Sequence, residues 1–153
     1  MAVNFVIKRF EELTTLELYK ILRLRAEAFV VEQDCVYQDI DDKDQKALHI
    51  IGRKNQEIIG YARIFRAGDY FDLSSIGRVV ISQNERQFGY GHDLIKISIA
   101  AIQKHFKTNT VKISAQTHLK KFYESHGFIK FGEEYLEDGI PHIGMIRNLP
   151  KLE

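Results

Sequence analysis

Residues 76–91 read as an apolar, strand-like run followed by Arg86, Gln87, Phe88, Gly89, Tyr90 and Gly91, after which a helical pattern takes over. A strand that delivers the chain into a glycine-containing turn at a helix start presents several backbone amides together, the arrangement that surrounds phosphate. Glycine also occurs wherever a chain simply turns tightly, so the flanking elements decide how much the turn means. Alternation puts Ile76 and Val80 on one strand face and Val79 and Ile81 on the other. Beyond the turn, Leu94, Ile95, Ser98, Ile99, Ile102 and Phe106 recur at three- and four-residue intervals from a start near His92, so one helix face packs on a sheet.

The remaining elements arrange themselves around that unit. Residues 5–10 read as a first strand, and Thr14 with Glu17 forms a capping box, flanked by Leu13 and Leu18, that opens a helix. The buried side of this helix is expected to carry Leu18, Ile21, Leu22, Arg25, Ala28 and Phe29; Arg25 stays charged there and needs a carboxylate, a carbonyl or solvent. Residues 47–52 and 57–65 form a hairpin about Asn55, and residues 110–115 form a short strand to which the helical crossover returns in parallel. Thr117 is expected to cap a brief helix that Gly127 stops, before a terminal antiparallel pair at 128–135 and 142–148.

A chain of 153 residues buries one substantial core but hardly two, so one domain over 1–153 is expected. Its formal charge of +1 gives no general attraction to polyanions, and Lys104, Lys107 and Lys112 form no stripe with stacking aromatics, so no nucleic-acid partner is expected. No run approaches a membrane span and the start lacks the apolar core of an export signal; a cytoplasmic protein without a membrane partner is the simplest reading. Cys35 is the single cysteine, which excludes an internal disulfide and a four-cysteine zinc site.

Four stretches of the chain together resemble the GNAT superfamily of N-acetyltransferases, and within it the ElaA-type branch. Arg86, Gly89 and Gly91 match the superfamily's phosphate-turn pattern. The branch resemblance rests on residues 24–33 with Cys35 and Tyr37, on 122–128, and on 137–143, in that order along nearly the whole chain. It implies an α/β fold of the acyl-CoA N-acyltransferase type, with a central mixed sheet flanked by helices, and direct acetyl transfer from acetyl-CoA to an amine acceptor, a small molecule or a peptide. The pantetheine arm would lie beside Val79, Val80 and Ile81, with a main-chain amide, Val80 foremost, directed at the thioester oxygen. The pyrophosphate would sit over Arg86, Gln87, Phe88, Gly89, Tyr90 and Gly91. Phe122 would pack near the coenzyme or in the core, and Gln116 stands where the superfamily often has asparagine. Tyr123 matches the superfamily tyrosine, a phenol placed to protonate the departing thiolate.

A proton acceptor for the amine is less sharply marked. Glu32, His49 and His142 are the candidates, His142 with a possible alternative role in bonding the terminal strands, and Glu32 with one in binding Arg25 or capping backbone. The superfamily often places a carboxylate on the central strand, but residues 76–81 contain none and Asp72 precedes them, which favours a relay through water. Asp39, Asp41, Asp42 and Asp44 lack the glycine and the terminal glutamate of a calcium loop, since Asp44 and Ile50 hold those positions. They read as a solvated acidic loop that selects a cationic substrate, with no metal. Cys35 reads as a packing residue rather than an acyl carrier. A noncatalytic acyl-CoA-binding or regulatory module is the alternative function, and pairing of two copies through a strand edge stays open.

Overall fold

The computed structural model describes residues 2–148. Seven strands form one mixed sheet in the order β1-β2-β3-β4-β5-β7-β6: β1 Asn4–Arg9, β2 Leu48–Lys54, β3 Glu57–Phe65, β4 Ser75–Ile81, β5 Val111–Gln116, β6 Phe128–Glu137 and β7 Ile140–Arg147. Every neighbouring pair is antiparallel except β4 and β5, which the helix α2, Tyr90–Phe106, connects in parallel. The terminal strands meet across Asp138 and Gly139, both at positive φ, a tighter turn than expected for the segment before His142.

Strand alternation splits the core between two faces of the sheet. Ile50, Ala62 and Ile64 face α2, meeting Leu94, Ile95, Ile99 and Ile102, while Ile51 and Tyr61 face α1, Thr15–Ala26, meeting Ile21 and Leu24. The capping box of α1 forms as expected: the Thr14 hydroxyl accepts from the Glu17 amide at 3.0 Å and the Glu17 carboxylate accepts from the Thr14 amide at 2.9 Å. On its inner face Leu24 and Glu17 are buried where Leu18 and Leu22 were expected, because the helix turns Leu24 toward Tyr61 and the Glu17 carboxylate toward two cations. Lys8 reaches that carboxylate at 2.9 Å and Arg53 at 2.6 Å. From Glu27 to Glu32 the helix continues as a wider π-helical turn.

β4 breaks the simple alternation read from the sequence. Two steps along β3, from Tyr61 to Arg63, stand opposite three along β4, from Val80 to Gly77, and Arg78 takes a left-handed φ of 51° within the bulge. The extra residue reverses parity, so Ile76 and Ile81 share the α2 face, with Val79 packed against it, and Val80 alone faces α1.

The acidic segment is the larger correction. Asp39 and Asp44 are buried and bind the fully buried Arg25 at 3.0 and 2.8 Å. Arg63 holds Asp41 at 2.6 Å and Asp44 at 2.8 Å, and Arg78 holds Asp39 at 2.7 Å. Three guanidinium groups thus face three carboxylates across α1, β3 and β4, and the loop is a clamp rather than a solvated substrate selector; Asp42 alone of the four aspartates stays exposed. Thr117 does not act as a cap either: it opens a short 3₁₀ turn, and the helix proper, α3, is Lys120–Glu124. Gly127 at a φ of 88° ends that segment as expected.

Two outcomes follow for stability. Arg25→Met leaves Asp39 and Asp44 buried without their shared cation, so urea unfolding is expected to show a loss of about 3–5 kcal/mol. Burial alone would raise the carboxyls of Glu17 and Asp41, but the Thr14 amide with Lys8 and Arg53, and the guanidinium of Arg63, hold both down at about 2. Each folded value lies below its ordinary one, so the stabilisation is complete above about pH 4.5 and is lost as pH falls toward 2. An acid titration followed by circular dichroism checks this, with Glu17→Gln flattening that part of the curve.

Candidate active site

Past their single pairing, Ser75 with Lys112, β4 and β5 separate. The gap is a cleft of about 410 Å³, walled by Ile76, Gly77, Arg78 and Val79 on one side and by Ile113, Ser114, Ala115 and Gln116 on the other. Main chain that would otherwise complete the sheet is left facing this space, the condition for an extended ligand to lie along a strand edge. Bulging at Arg78 turns β4 away from β5, and the ion pair to Asp39 holds the bulge.

The glycine turn lies beyond the cleft, on exposed surface. Residues 83–88 form a 3₁₀ run, Gly89 takes a φ of 77°, and α2 starts at Tyr90 rather than near His92, with no side chain capping it. The His92 amide turns back to the Gly89 carbonyl at 3.1 Å, and the helix dipole favours negative charge at this start. A Cβ on Gly91 would meet the Phe122 ring at 3.6 Å, so that ring covers the turn. Lys54 stands nearby, 4.5 Å from the Phe88 ring centre, with its charge offset by Glu85 at 2.8 Å. Arg86 points its side chain away from any such anion: Nε donates to the Ile81 carbonyl at 2.9 Å and the guanidinium pairs with Glu32 at 2.9 Å.

Phe122 and Tyr123 are consecutive, and they tie the turn to the cleft. While Phe122 lies against Gly91, Tyr123 lines the cleft at 7 % exposure, locked edge-on between Phe122 and Phe128 with ring centres at 5.1 and 5.8 Å. Its hydroxyl has no hydrogen-bond partner among the described residues. Burial pushes the phenol well above its ordinary value, which keeps it protonated at neutral pH.

Across the cleft, His142 stands opposite Gln116 in the β5–β7 register, and both line it. The His142 Nδ1–H donates to the Ile140 carbonyl at 2.7 Å, because a carbonyl only accepts, and Nε2 faces the Glu137 carboxylate at 3.3 Å. Ser114 donates to that carboxylate at 3.3 Å and is itself hydrogen-bonded to the Tyr135 hydroxyl. Tyr135, Ser114, Glu137 and His142 thus form one chain of polar groups. Sequence reasoning reached His142 and its block but missed Ser114 and Tyr135, whose only advance signal was an outward-facing hydroxyl on each of two strands.

Two other proposed proton acceptors belong elsewhere. Glu32 does not line the cleft; Arg86 holds it at the phosphate turn. His49 is fully buried on β2, donating from Nε2 to the Asp44 carbonyl at 2.9 Å and accepting at Nδ1 from the Tyr61 hydroxyl at 2.6 Å, and burial lowers its pKa. Val80 and Ile81 turn their side chains into the core, so only their main chain is available to a ligand. Cys35 does reach the cleft wall, where its thiol donates to the Asp138 carbonyl at 3.4 Å and ties the segment after α1 to the β6–β7 hairpin.

With this geometry in view, comparison with known proteins decides the family. Residues 14–149 match the family model for the acetyltransferase (GNAT) domain. The chain belongs to the GNAT family. It is 44% identical over 140 residues to protein ElaA of Escherichia coli, covering 90% of this chain and 92% of that one. Among solved structures, Escherichia coli ElaA superposes with a TM-score of 0.89 at 41% identity, covering 95% of this chain and 99% of that one. An acyl-CoA N-acyltransferase from Pseudomonas aeruginosa gives 0.90 at 38% identity, with the same shares covered. The fold is that of GNAT acyl-CoA N-acyltransferases, a family that uses acyl-CoA as cosubstrate, and the uncapped start of α2 suits the phosphates of such a molecule. No helix among the described residues is long and apolar enough to cross a membrane.

Gly89→Ala tests the turn directly. A side chain at a φ of 77° costs about 1 kcal/mol and shifts the amides around it. Calorimetry with coenzyme A is expected to show at least tenfold weaker binding, with melting lowered by only a few degrees.

Proposed function

We propose that this chain is an acetyl-CoA-dependent N-acetyltransferase that passes the acetyl group directly to an amine. The observation that carries the reading is the adjacency of Phe122, on the anion-binding turn, and Tyr123, in the cleft. That spacing suits a cosubstrate with phosphates at one end and a reactive thioester at the other.

In this reading the main chain around Gly89 and Gly91 holds the diphosphate, the β4 edge at Val79 and Val80 takes the pantetheine arm, and a main-chain amide there polarises the thioester carbonyl. The amine acceptor enters from the side of Glu137 and His142. It arrives mostly protonated, and the free Nε2 of His142 takes that proton directly or through a water, forming an imidazolium that Glu137 stabilises. The neutral amine attacks the carbonyl carbon, and the tetrahedral intermediate gives up its second nitrogen proton to water and collapses to the amide as the carbon–sulfur bond breaks. Tyr123 supplies its phenolic proton to the departing thiolate, and the phenol is restored by solvent. His142 replaces the strand carboxylate that β4 lacks, so the relay runs from β7 rather than from the central strand.

The test is a product-detected screen: purified protein, acetyl-CoA and a broad set of amines, with acetylated product and released thiol both measured. Acceptor-dependent thiol release is expected. Saturable coenzyme binding without turnover of any amine across a wide pH range would favour a noncatalytic acyl-CoA-binding module. Tyr123→Phe keeps the ring and removes the proton, so the chemical step is expected to slow by about a hundredfold or more with coenzyme affinity nearly unchanged. Unaltered turnover under chemistry-limited conditions would remove Tyr123 from the mechanism.

A further inference from the structure

A second, smaller cavity of about 60 Å³ opens beside the cleft and shares with it Tyr70, Ile76, Gly77, Arg78, Ser114 and Glu137. Arg63 and Ser75 line this cavity, 1 % and 2 % exposed respectively, and the Arg63 Nε and Ser75 Oγ atoms are buried without a hydrogen-bond partner among the described residues. Buried polar atoms are nearly always paired, and of four such atoms left over among the described residues, two belong to residues that wall this one cavity, where a polar group of something else is expected. The remaining Arg63 nitrogens are engaged: one contacts both Asp41 and Asp44, the other Asp41. Of the five N–H donors, Nε–H and one Nη2–H are left, and Nε is the nitrogen with no partner at all among the described residues.

We propose that this cavity is a subsite of the acceptor pocket that receives an uncharged oxygen of the amine substrate, a hydroxyl or an amide carbonyl, hydrogen-bonded by Arg63 Nε and Ser75 Oγ. The proposal rests on the amine-acyl-transfer reading and names the class of acceptor within it. Charge balance selects the neutral group. Arg25, Arg63 and Arg78 are already offset by Asp39, Asp41 and Asp44, and Glu137 on the cavity wall repels a further carboxylate. Glu137 also gives the substrate its polarity, since it lines both spaces and faces His142 Nε2 at 3.3 Å, so the amine is held on the His142 side and the oxygen reaches past Ser114. Substrates that lack the oxygen leave the two donors unmatched, which penalises them.

A matched set of amines tests this: butylamine, 3-aminopropanol, β-alaninamide and β-alanine, each also one and two methylenes longer, with acetyl-CoA as donor. Hydroxyl or amide members are expected to exceed the methyl and carboxylate members at least tenfold in kcat/KM. In Ser75→Ala the hydroxyl is absent, and in Gly77→Ala a methyl stands 4.0 Å from Arg63 Nε at a residue free of left-handed backbone, so both variants are expected to bring that ratio close to one. Equal turnover of all members, a lead for the carboxylate, or a ratio that neither variant moves overturns the subsite and leaves the cavity to ordered water. Should coenzyme bind but no amine react, saturation-transfer NMR of the same amines on the wild type and both variants decides the subsite by the same ratios. Failure to bind coenzyme would instead overturn the proposed function, and the NMR ratios would still judge the cavity.

Discussion

Arg25 and Arg63 have no route to solvent that would satisfy their charge, and Arg78 lies half-buried beside them, so the folded chain brings Asp39, Asp41 and Asp44 to the three. Such a cluster adds little net stability over apolar packing, but once two of its members are buried the others are obligatory. Geometry is what it supplies. Asp39 bonds both Arg25 of α1 and Arg78 of the β4 bulge, and Tyr37 donates to the same carboxylate at 2.8 Å. A strand that would otherwise straighten and pair with β5 is thereby held in a left-handed kink, and the cleft exists because of that kink.

The second organising contact is aromatic. α3 is only five residues long and would not hold position by its own hydrogen bonds, so packing of Phe122 and Tyr123 against each other and against Phe128 fixes it. One short helix therefore sets both the cover of the phosphate turn and the position of the phenol. His92 and His126 flank Phe122 with ring nitrogens 2.8 Å apart, which further restrains the same ring.

Much of this was legible in the chain itself. Elements with strong periodicity came through: the apolar face of α2, the α1 capping box, the hairpin at Asn55 and Gln56, and the parallel return to β5. What escaped depends on contacts distant in sequence. Nothing local marks Arg78 as left-handed, so the parity of Val79, Val80 and Ile81 was inverted. The acidic run looked solvated because its partners lie 14 to 39 residues away in elements that otherwise read as apolar. A sharper reading would have asked what three arginines inside such elements need, and a nearby run of aspartates was the answer in plain view. At the site, Tyr123 was carried by its motif, whereas Glu32 and His49 were candidates from separated blocks that could meet around the substrate, and they fold into an ion pair and the core.

A single extended cosubstrate, in the proposed function, runs from the start of α2 into the gap between β4 and β5. A crystal structure of the protein with bound coenzyme A tests it most directly. The account predicts the diphosphate against the amides around Gly89 and Gly91, and the thiol sulfur within about 4 Å of the Tyr123 hydroxyl, a hydrogen-bonding separation. A diphosphate bound elsewhere, or a sulfur remote from that phenol, would contradict it.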